Sequence, residues 1–313
     1  MKGIELSERF YREHGEPMLK EKFPHLLGLI AVGIAGSGSE CFGFDDEISQ
    51  DHDFEPGFCI FLPSESVVDR RAEFELERAY SKLPKEFMGY KRSQLSAVGG
   101  NRHGVMRMAD FFAAKTGSES GTLEIRDWFF VPEQSLSEAT NGKIFFDGLG
   151  ELTRIRSSLA YFPEDVRLKK LAGNLLLMGQ SGQYNYGRCI SRGETGAAQL
   201  AVHEFVKSAM NVAFLLSRRY APYYKWSFRA MRELDALGDV CERLEYLISS
   251  PNGESEANEK KRIIEEISRR VVEELKAQNL TALDAVELEA QAYAVNNKIS
   301  DSAVRNLHVL YAV

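Results

Sequence analysis

The sequence predicts an α+β protein in which a small sheet domain is followed by an all-helical domain. Short apolar runs closed by glycine or proline alternate with polar segments in the first half, which is typical of buried strands. After Phe146 the apolar residues recur at helical intervals almost to the C-terminus. We therefore expect an α+β domain over residues 1–150 and a helical domain over residues 151–313.

The first predicted element is a helix over residues 6–22, where apolar residues are spaced at helical intervals. Gly15 and Pro17 interrupt this pattern, which predicts a helix followed by a short helical turn. Short and partly β-branched apolar runs predict the strands of the sheet. The predicted strands are residues 25–35, 57–63 and 103–108, with weaker candidates at 122–131 and 143–147.

In the second half, helices are predicted over residues 150–179 and 195–221. Residues 259–278 alternate charged and apolar positions at helical spacing, which indicates one packed face and one solvated face. The polar, turn-rich stretch 249–261 is interpreted as a loop that joins two helices.

Composition narrows the classes of function. A net charge of -7 over 313 residues argues against a broad electrostatic footprint on extended nucleic acid or an anionic membrane, although it leaves room for a local basic cleft. The four cysteines lie far apart without zinc-ligand spacing, which favours reduced thiols. The charged N-terminus and the lack of any apolar run near ~20 residues predict a cytoplasmic protein that does not cross a membrane.

One segment carries the clearest chemical signal, because two glycine-serine pairs follow an apolar run directly. Gly36, Ser37, Gly38 and Ser39 permit a tight turn whose backbone N–H groups and hydroxyls can hold a phosphate. Ser37 and Glu40 also have the spacing of a capping box, which predicts a short helix whose N-terminus favours an anion. The segment is thus a candidate nucleotide-binding turn.

Two carboxylates follow the turn. In an extended chain Asp51 and Asp53 project from the same face, where they repel each other unless a divalent cation lies between them. Magnesium, or manganese in its place, takes one or two carboxylates together with substrate phosphates. A calcium loop is excluded, because Pro56 and Leu62 stand where that loop needs glycine and a bidentate glutamate. A solvated acidic loop is the other interpretation.

Gly38-Ser39, then Gly43, then Asp51 and Asp53 resemble the signature of the DNA polymerase β-like nucleotidyltransferase superfamily. The longer string around them resembles a bacterial branch of nucleotidyltransferase-like proteins. A small catalytic domain followed by a helical domain is also similar to antibiotic nucleotidyltransferases.

The resemblance implies a small mixed-sheet nucleotidyltransferase domain and a helical acceptor-binding domain. It implies magnesium-dependent transfer of a nucleotide from a nucleoside triphosphate to a small-molecule acceptor. Asp51 and Asp53 would bind the metal and serve as catalytic residues, while Gly38 and Ser39 would hold the β- and γ-phosphates. The alternative is a nucleotide-binding protein that retains the fold but has lost turnover.

This sequence departs from the superfamily pattern at two places. His52 stands where an apolar residue is usual, and residues 55–57 interrupt the strand that normally continues directly, which implies a bulge or an insertion. The superfamily also uses a third carboxylate from a later strand. Glu124, on the weak candidate strand 122–131, is our candidate for it, with Asp110 as the second choice.

Basic residues of the second half are candidates for phosphate contacts. Lys169 lies on a predicted helix from which it could reach a triphosphate, although such lysines are more often solvated. Arg188 and Arg192 lie in residues 183–196, a stretch rich in aromatic residues, arginine and glycine. We interpret this stretch either as a phosphate-binding element or as an interhelical loop with solvent-facing arginines.

The remaining candidates favour structural roles. His203 is interpreted as a satisfied core histidine on a long helix, and Asp147 as a helix or turn cap. Lys225 and Trp226 follow a proline-containing turn, where a structural corner is favoured over a substrate contact.

Overall fold

The computed structural model describes residues 1–48, 54–92, 102–311 and 313, and it confirms the predicted α+β class. The chain forms two compact units. We call Met1–Glu124 with Val131–Ala160 the sheet unit, and Ile125–Phe130 with Tyr161–Val313 the helical unit. The predicted domain limit at residue 150 stays a prediction, since these units are defined by packing and are not contiguous in sequence.

The chain begins with a helical path over residues 3–22 that widens into a π-helical turn at Tyr11–Gly15. Pro17 does not end this path, because it lies in the first turn of α2, where a missing N–H costs no hydrogen bond. In chain order the elements up to Ala160 are α1 (Gly3–Phe10), α2 (Glu16–Lys22), β1 (Ala31–Ile34), α3 (Ser39–Phe42), β2 (Cys59–Leu62), α4 (Arg70–Ser81), β3 (Glu86–Phe87), β4 (Tyr90–Lys91), β5 (Gly104–Arg107), α5 (Met108–Thr116), α6 (Asp127–Phe130), α7 (Glu133–Thr140), β6 (Lys143–Asp147) and α8 (Glu151–Ser158).

The helical unit continues with eight further α-helices in the described residues. They are α9 (Glu164–Met178), α10 (Gly187–Ser191), α11 (Thr195–Leu216), α12 (Tyr224–Met231), α13 (Cys241–Ser249), α14 (Glu254–Ala277), α15 (Leu288–Asn296) and α16 (Ser302–Arg305). No helix within the described ranges is both long enough and apolar enough to cross a membrane.

The main sheet has the strand order β5-β2-β1-β6. β1 pairs antiparallel with both β2 and β6, whereas β2 and β5 are parallel, so the sheet is mixed as the resemblance implied. Gly33 lies opposite Cys59, and Cys59 lies opposite Gly104. This register brings the end of β1 and the starts of β2 and β5 to one end of the sheet, which we call the turn end.

Aromatic packing fixes the chain at the turn end. Phe58, immediately before β2, is fully buried against the rings of Phe10, Tyr11 and Tyr80, with centroid distances of 6.0, 5.3 and 5.0 Å. The Tyr80 hydroxyl also accepts a hydrogen bond from the Phe58 backbone N–H at 3.1 Å. Burying such a side chain stabilises the fold by about 1.5–3 kcal/mol, so the entry into β2 is held firmly.

Several predicted elements differ from the structure. The predicted strand 25–35 is confirmed only over β1, because a 3₁₀ turn occupies Pro24–Leu26. The predicted strand 122–131 is wrong: the chain is irregular and then forms α6, where the adjacent Trp128 and Phe129 are both buried against different rings. A short apolar run does not by itself separate strand from helix.

Two predicted loops of the helical unit are mostly helical. The π-helical segment Gly179–Tyr186 runs directly into α10, so the stretch 183–196 is not an open interhelical loop. α14 begins at Glu254, which reduces the loop predicted over 249–261 to a short connection. In both places glycine and polar residues, which predicted a loop, lie within or next to a helix.

Candidate functional site

The glycine-serine turn follows β1 at the turn end of the sheet. Gly36 and Gly38 have φ values of 113° and 129°, a region that L side chains rarely adopt, so both glycines are needed by the backbone. Gly36 donates its N–H to Oδ1 of Asn141 at 2.9 Å, and Nδ2 of Asn141 donates to the Gly36 carbonyl at 2.8 Å. Asn141, in the segment before β6, therefore fixes the turn. The sequence around Asn141 does not predict this role.

The predicted short helix after the turn is confirmed as α3, but its predicted cap is wrong. α3 has four residues and begins after Gly38, without a side-chain cap. Ser37 is exposed and does not cap the helix, while the carboxylate of Glu40 lies beside Gly38, accepts a bond from its own backbone N–H and pairs with Arg102. The carboxylate thus combines a local contact at the start of the helix with an ion pair to a residue distant in sequence.

Arg102, which lies just before β5, joins the turn from the opposite side. Its Nη2 donates to the Ser37 carbonyl at 2.9 Å and forms an ion pair with the Glu40 carboxylate. The two side chains are only 17% and 9% exposed. A Cβ at Gly38 would overlap Nη2 of Arg102, so the absence of a side chain there admits the guanidinium.

The electrostatics of this pair are set by burial. Burial raises the pKa of Glu40, and the nearby Arg102 guanidinium opposes that rise. A phosphate that approaches the turn would meet a guanidinium already partly neutralised by a carboxylate. The pair is therefore a charge pair whose balance an incoming anion would change.

Side chains on both sides of residues 49–53 meet at the start of α1. The Gly3 N–H donates to Oδ2 of the buried Asp45 at 2.9 Å. A Cβ at Gly3 would lie 2.5 Å from Cβ of Glu40 and 3.3 Å from the ring of Phe54. Asp45 and Phe54 thus both lie beside Gly3, next to the carboxylate that contacts the turn.

A second acid-base contact lies at the turn end. Nδ1 of His103 lies 3.5 Å from Oε1 of Glu55, and the two side chains are 7% and 20% exposed. Nδ1 has no hydrogen-bond partner among the described residues. Gly57 makes room for this ring, because a Cβ there would lie 2.5 Å from Nδ1.

The predicted metal ligands cannot be placed. Asp51 and Asp53 lie outside the described residues, as does His52, so their roles stay predictions. Within the ranges that the structure describes, no group of three or more histidine, cysteine or acidic side chains is arranged to hold a metal ion.

The candidates for the third carboxylate do not lie on a strand. Glu124 is exposed in the irregular chain between α5 and α6, and Asp110 is exposed in the first turn of α5. The prediction that Glu124 lies on a strand is wrong, because the strand expected over 122–131 does not form.

Lys169 has a structural contact in place of the predicted nucleotide contact. It is fully buried in α9, and its ammonium group donates to Oδ1 of Asn296 and to the carbonyls of Arg305 and Leu307 at 2.6, 3.0 and 2.9 Å. Burial lowers its pKa. All three N–H groups of the ammonium ion are engaged, so a phosphate contact would require them to be released.

The two predicted arginines lie in the helical unit. Arg188 is exposed and stacks over the Tyr184 ring, with its guanidinium carbon 4.8 Å from the centroid. Arg192 is exposed at the end of α10. Their contacts with a nucleotide stay predictions.

Other structural interpretations have mixed outcomes. Asp147 is confirmed as a cap: it accepts bonds from Gly150 N at 2.9 Å and from Thr153 N and Oγ1 at 2.8 and 2.7 Å, at the start of α8. His203 as a core histidine is wrong, since it is exposed on α11. A long apolar helix still has one solvated face, and His203 lies on it.

Part of the chain matches a family model, and most of it is similar to a solved structure. Residues 128–227 match the family model described as a domain of unknown function (DUF4037). Among solved structures, the chain is similar to a nucleotidyltransferase-like protein from Exiguobacterium sibiricum 255-15, with 12% identity, a TM-score of 0.38 and 90% of each chain covered. A likeness this distant carries no argument about activity. No curated protein matches the chain.

Proposed function

We propose that the sheet unit transfers a nucleotide from a magnesium-bound nucleoside triphosphate, or a manganese-bound one, to a small-molecule acceptor. The observation that supports this proposal is the placement of the turn Gly36–Ser39. It lies at the turn end of the sheet, beside the described residues that flank the acidic segment on both sides.

Chain connectivity links that acidic segment to the turn. Phe54 follows Asp53 directly in the sequence, and its ring lies against Gly3 together with the side chain of Glu40. Five residues later Cys59 opens β2, paired with the strand that leads into the turn. These described neighbours of the acidic segment lie beside Glu40 and the strand before the turn, which supports the proposal.

The donor set fits the ion. Asp51 and Asp53 would supply two carboxylates to a cation that completes its shell with triphosphate oxygens and water, as magnesium does. Bound there, the cation would neutralise charge on the triphosphate and on the pyrophosphate that leaves. Backbone N–H groups of Gly38 and Ser39, with the Ser39 hydroxyl, would hold the β- and γ-phosphates. Gly36 would not, because its N–H is bound to Asn141.

In the proposed reaction an acceptor oxygen attacks the α-phosphorus. The bond from the α-phosphorus to the oxygen that bridges to the β-phosphorus breaks, and pyrophosphate leaves with that electron pair. The acceptor proton passes to a carboxylate of the turn end or to water. Arg102 would turn from Glu40 towards the phosphates and hold them in line for the attack.

The test compares Asp51→Asn and Asp53→Asn with the parent and with Glu47→Gln, a matched change at an exposed acid nearby. Magnesium-dependent pyrophosphate release is measured with each nucleoside triphosphate and a panel of small acceptors. We expect both aspartate variants to lose turnover by at least ~1000-fold while circular dichroism is unchanged, since positioning and electrostatics supply most of this catalysis. An active double variant would contradict the mechanism.

The second candidate is a nucleotide-binding protein without turnover. It is favoured by the Arg102–Glu40 pair that contacts the turn, and by the missing strand carboxylate at Glu124. Nucleotide binding that magnesium tightens, without pyrophosphate release from any acceptor, would support this candidate over the enzyme.

A further inference from the structure

Residues 218–232 of the helical unit combine aromatic and basic side chains without a single acid. The stretch contains five aromatic and five basic residues within a chain whose net charge is -7. Such interleaving is typical of surfaces that bind unpaired nucleotides. The aromatic residues are Tyr220, Tyr223, Tyr224, Trp226 and Phe228, and the basic residues are Arg218, Arg219, Lys225, Arg229 and Arg232.

Two of these aromatic rings are left in solvent next to each other. Tyr224 is 75% exposed and Tyr223 is 38% exposed. Their ring centroids lie 4.3 Å apart, with the planes inclined by 50°. They lie at the start of α12. A single exposed ring is common on protein surfaces, but two adjacent exposed rings form an apolar platform.

Two basic groups lie over Trp226, which follows the platform by two residues. Nζ of Lys225 lies 4.8 Å from the ring centroid of Trp226, and the guanidinium carbon of Arg229, one helical turn further, lies 5.9 Å from the same ring. Lys225 and the exposed Arg219 have no acidic partner among the described residues. The local surface therefore carries positive charge beside flat rings.

Arg218 and Arg232, at the two ends of the stretch, are paired with acids. Arg218 forms an ion pair with Glu164 at 2.8 Å, and Arg232 forms one with Glu245 at 2.6 Å. These pairs hold the two ends of the stretch to the rest of the helical unit. The positive charge of Lys225 is left directly after Tyr224 in the sequence, and Lys225 is exposed as Tyr224 is.

We propose that this aromatic-basic patch, defined by Arg219, Tyr223, Tyr224 and Lys225, binds single-stranded nucleic acid. An unpaired base stacks on Tyr224, and the adjoining phosphates lie at Lys225 and Arg219. Stacking of this kind tolerates any sequence, because every base has a π face. The proposal does not depend on the activity proposed for the sheet unit.

The acidic remainder of the protein limits this binding to the patch. A polyanion is repelled by a chain of net charge -7 except where positive charge is concentrated, so a short strand is favoured over a long duplex. In a duplex the bases are stacked on each other and offer no free face. Charge complementarity thus selects an unpaired strand as the occupant.

The test measures fluorescence anisotropy of a labelled ten-nucleotide oligoadenylate RNA titrated with the full chain at 50 and 200 mM salt. Tyr224→Ala is expected to weaken binding by about 5- to 100-fold, the effect of losing one stacked base, whereas Tyr224→Phe keeps the ring and is expected to bind as the parent does. Lys225→Ala is expected to weaken binding and to reduce the salt slope by about 0.7.

The matched control is Tyr184→Ala. Tyr184 is 59% exposed in the same unit and also lies under an arginine, at 4.8 Å from Arg188, but it lies outside the patch. We expect this variant to bind as the parent does. Circular dichroism of each variant checks the fold, and the exposed position of Tyr224 leaves the core intact.

Several results would overturn the proposal. The first is that anisotropy does not change at 50 mM salt with protein on the order of 100 μM. The second is that Tyr224→Ala binds the RNA as tightly as the parent. The third is that Tyr184→Ala loses as much RNA affinity as Tyr224→Ala. Equal affinity for duplex RNA would also overturn it. If AMP displaces the RNA as effectively, mole for mole, as unlabelled oligomer, the patch takes a mononucleotide and not a strand.

Discussion

Nη2 of Arg102 donates a hydrogen bond to the carbonyl oxygen of Ser37 at 2.9 Å, which joins the start of β5 to the turn after β1. The same guanidinium forms an ion pair with Glu40 in α3. The turn is thus held by a side chain 65 residues away and not by its own helix cap. Changes to this contact therefore test both the stability and the chemistry of the turn end.

Gly38→Ala is expected to destabilise the sheet unit by about 1–3 kcal/mol and to abolish magnesium-nucleotide binding. The strain arises because φ is 129° and a Cβ would overlap Nη2 of Arg102. The matched change Gly43→Ala also has positive φ, at 72°, but meets no atom within 4 Å. Urea unfolding and nucleotide titration should show that Gly43→Ala loses some stability but keeps nucleotide binding; equal binding by both variants would contradict the prediction.

Arg102→Ala is expected to lower the free energy of unfolding by about 3 kcal/mol, because it leaves the buried Glu40 without its counter-ion. The double variant with Glu40→Gln should recover much of this loss. Arg71→Ala is the control: its ion pair with Glu75 is on the surface, with Arg71 86% exposed, and should contribute less than about 1 kcal/mol. Additive losses in the double-mutant cycle would contradict the coupling.

The stability of the Arg102→Ala protein should also fall more steeply with pH. The folded-state pKa of Glu40 is raised above its ordinary value of 4.5, so the folded protein binds this proton more tightly than the unfolded chain. The associated stability is present below the unfolded pKa and is lost as pH rises through the folded pKa. Loss of Arg102 raises that pKa further. The difference between the urea midpoints of the variant and the parent should therefore grow as the pH rises above 4.5. A difference that stays constant with pH would contradict this assignment.

Lys169→Met is expected to destabilise the helical unit by about 3 kcal/mol without changing nucleotide affinity. The substitution leaves the Leu307 carbonyl without its donor, and the Arg305 carbonyl keeps only the bond from Nδ2 of Asn296 at 3.3 Å. Lys207→Met, at an exposed position of α11, should change little. Thermal unfolding and nucleotide titration check both expectations, and weaker nucleotide binding at unchanged stability would restore the predicted phosphate contact.

Cysteine labelling tests the packing of both units. Of the four cysteines only Cys189 is partly exposed, while Cys41, Cys59 and Cys241 are buried. Burial raises the pKa of Cys59 to about 12, so it carries no appreciable thiolate at pH 8. A disulfide reagent should modify one thiol quickly, and Cys189→Ser should remove that phase. Two or more fast thiols in the folded parent would contradict the burial of the others.

Short-range patterns predicted much of the secondary structure. The strands β2, β5 and β6 were read from apolar runs closed by glycine, proline or acid, because those residues end a strand locally. Asp147 was predicted as a cap for the same reason, since the groups that donate to its carboxylate lie within six residues along the chain. The turn Gly36–Ser39 followed from glycine spacing, which reflects backbone φ directly.

Long-range contacts account for the predictions that failed. The capping box at Ser37 failed because Arg102 competes for the Glu40 carboxylate. The solvated alternative for Lys169 is wrong, because three acceptors from the C-terminal segment surround its ammonium group, while its phosphate contact stays a prediction. The strand predicted around Glu124 is wrong because burial of Trp128 and Phe129 favours a helical turn, while the catalytic role of Glu124 stays a prediction.

The sequence by itself determined the α+β class and the position of the glycine turn. It also supports the hypothesis that Asp51 and Asp53 act as a pair. Each depends on neighbours within a few residues, where periodicity and backbone conformation act. Only the tertiary structure decided that Arg102 and Glu40 meet at the turn and that Tyr223 and Tyr224 stay in solvent. Those outcomes depend on which distant side chains the sheet order and helix packing bring together, and local periodicity does not contain that information.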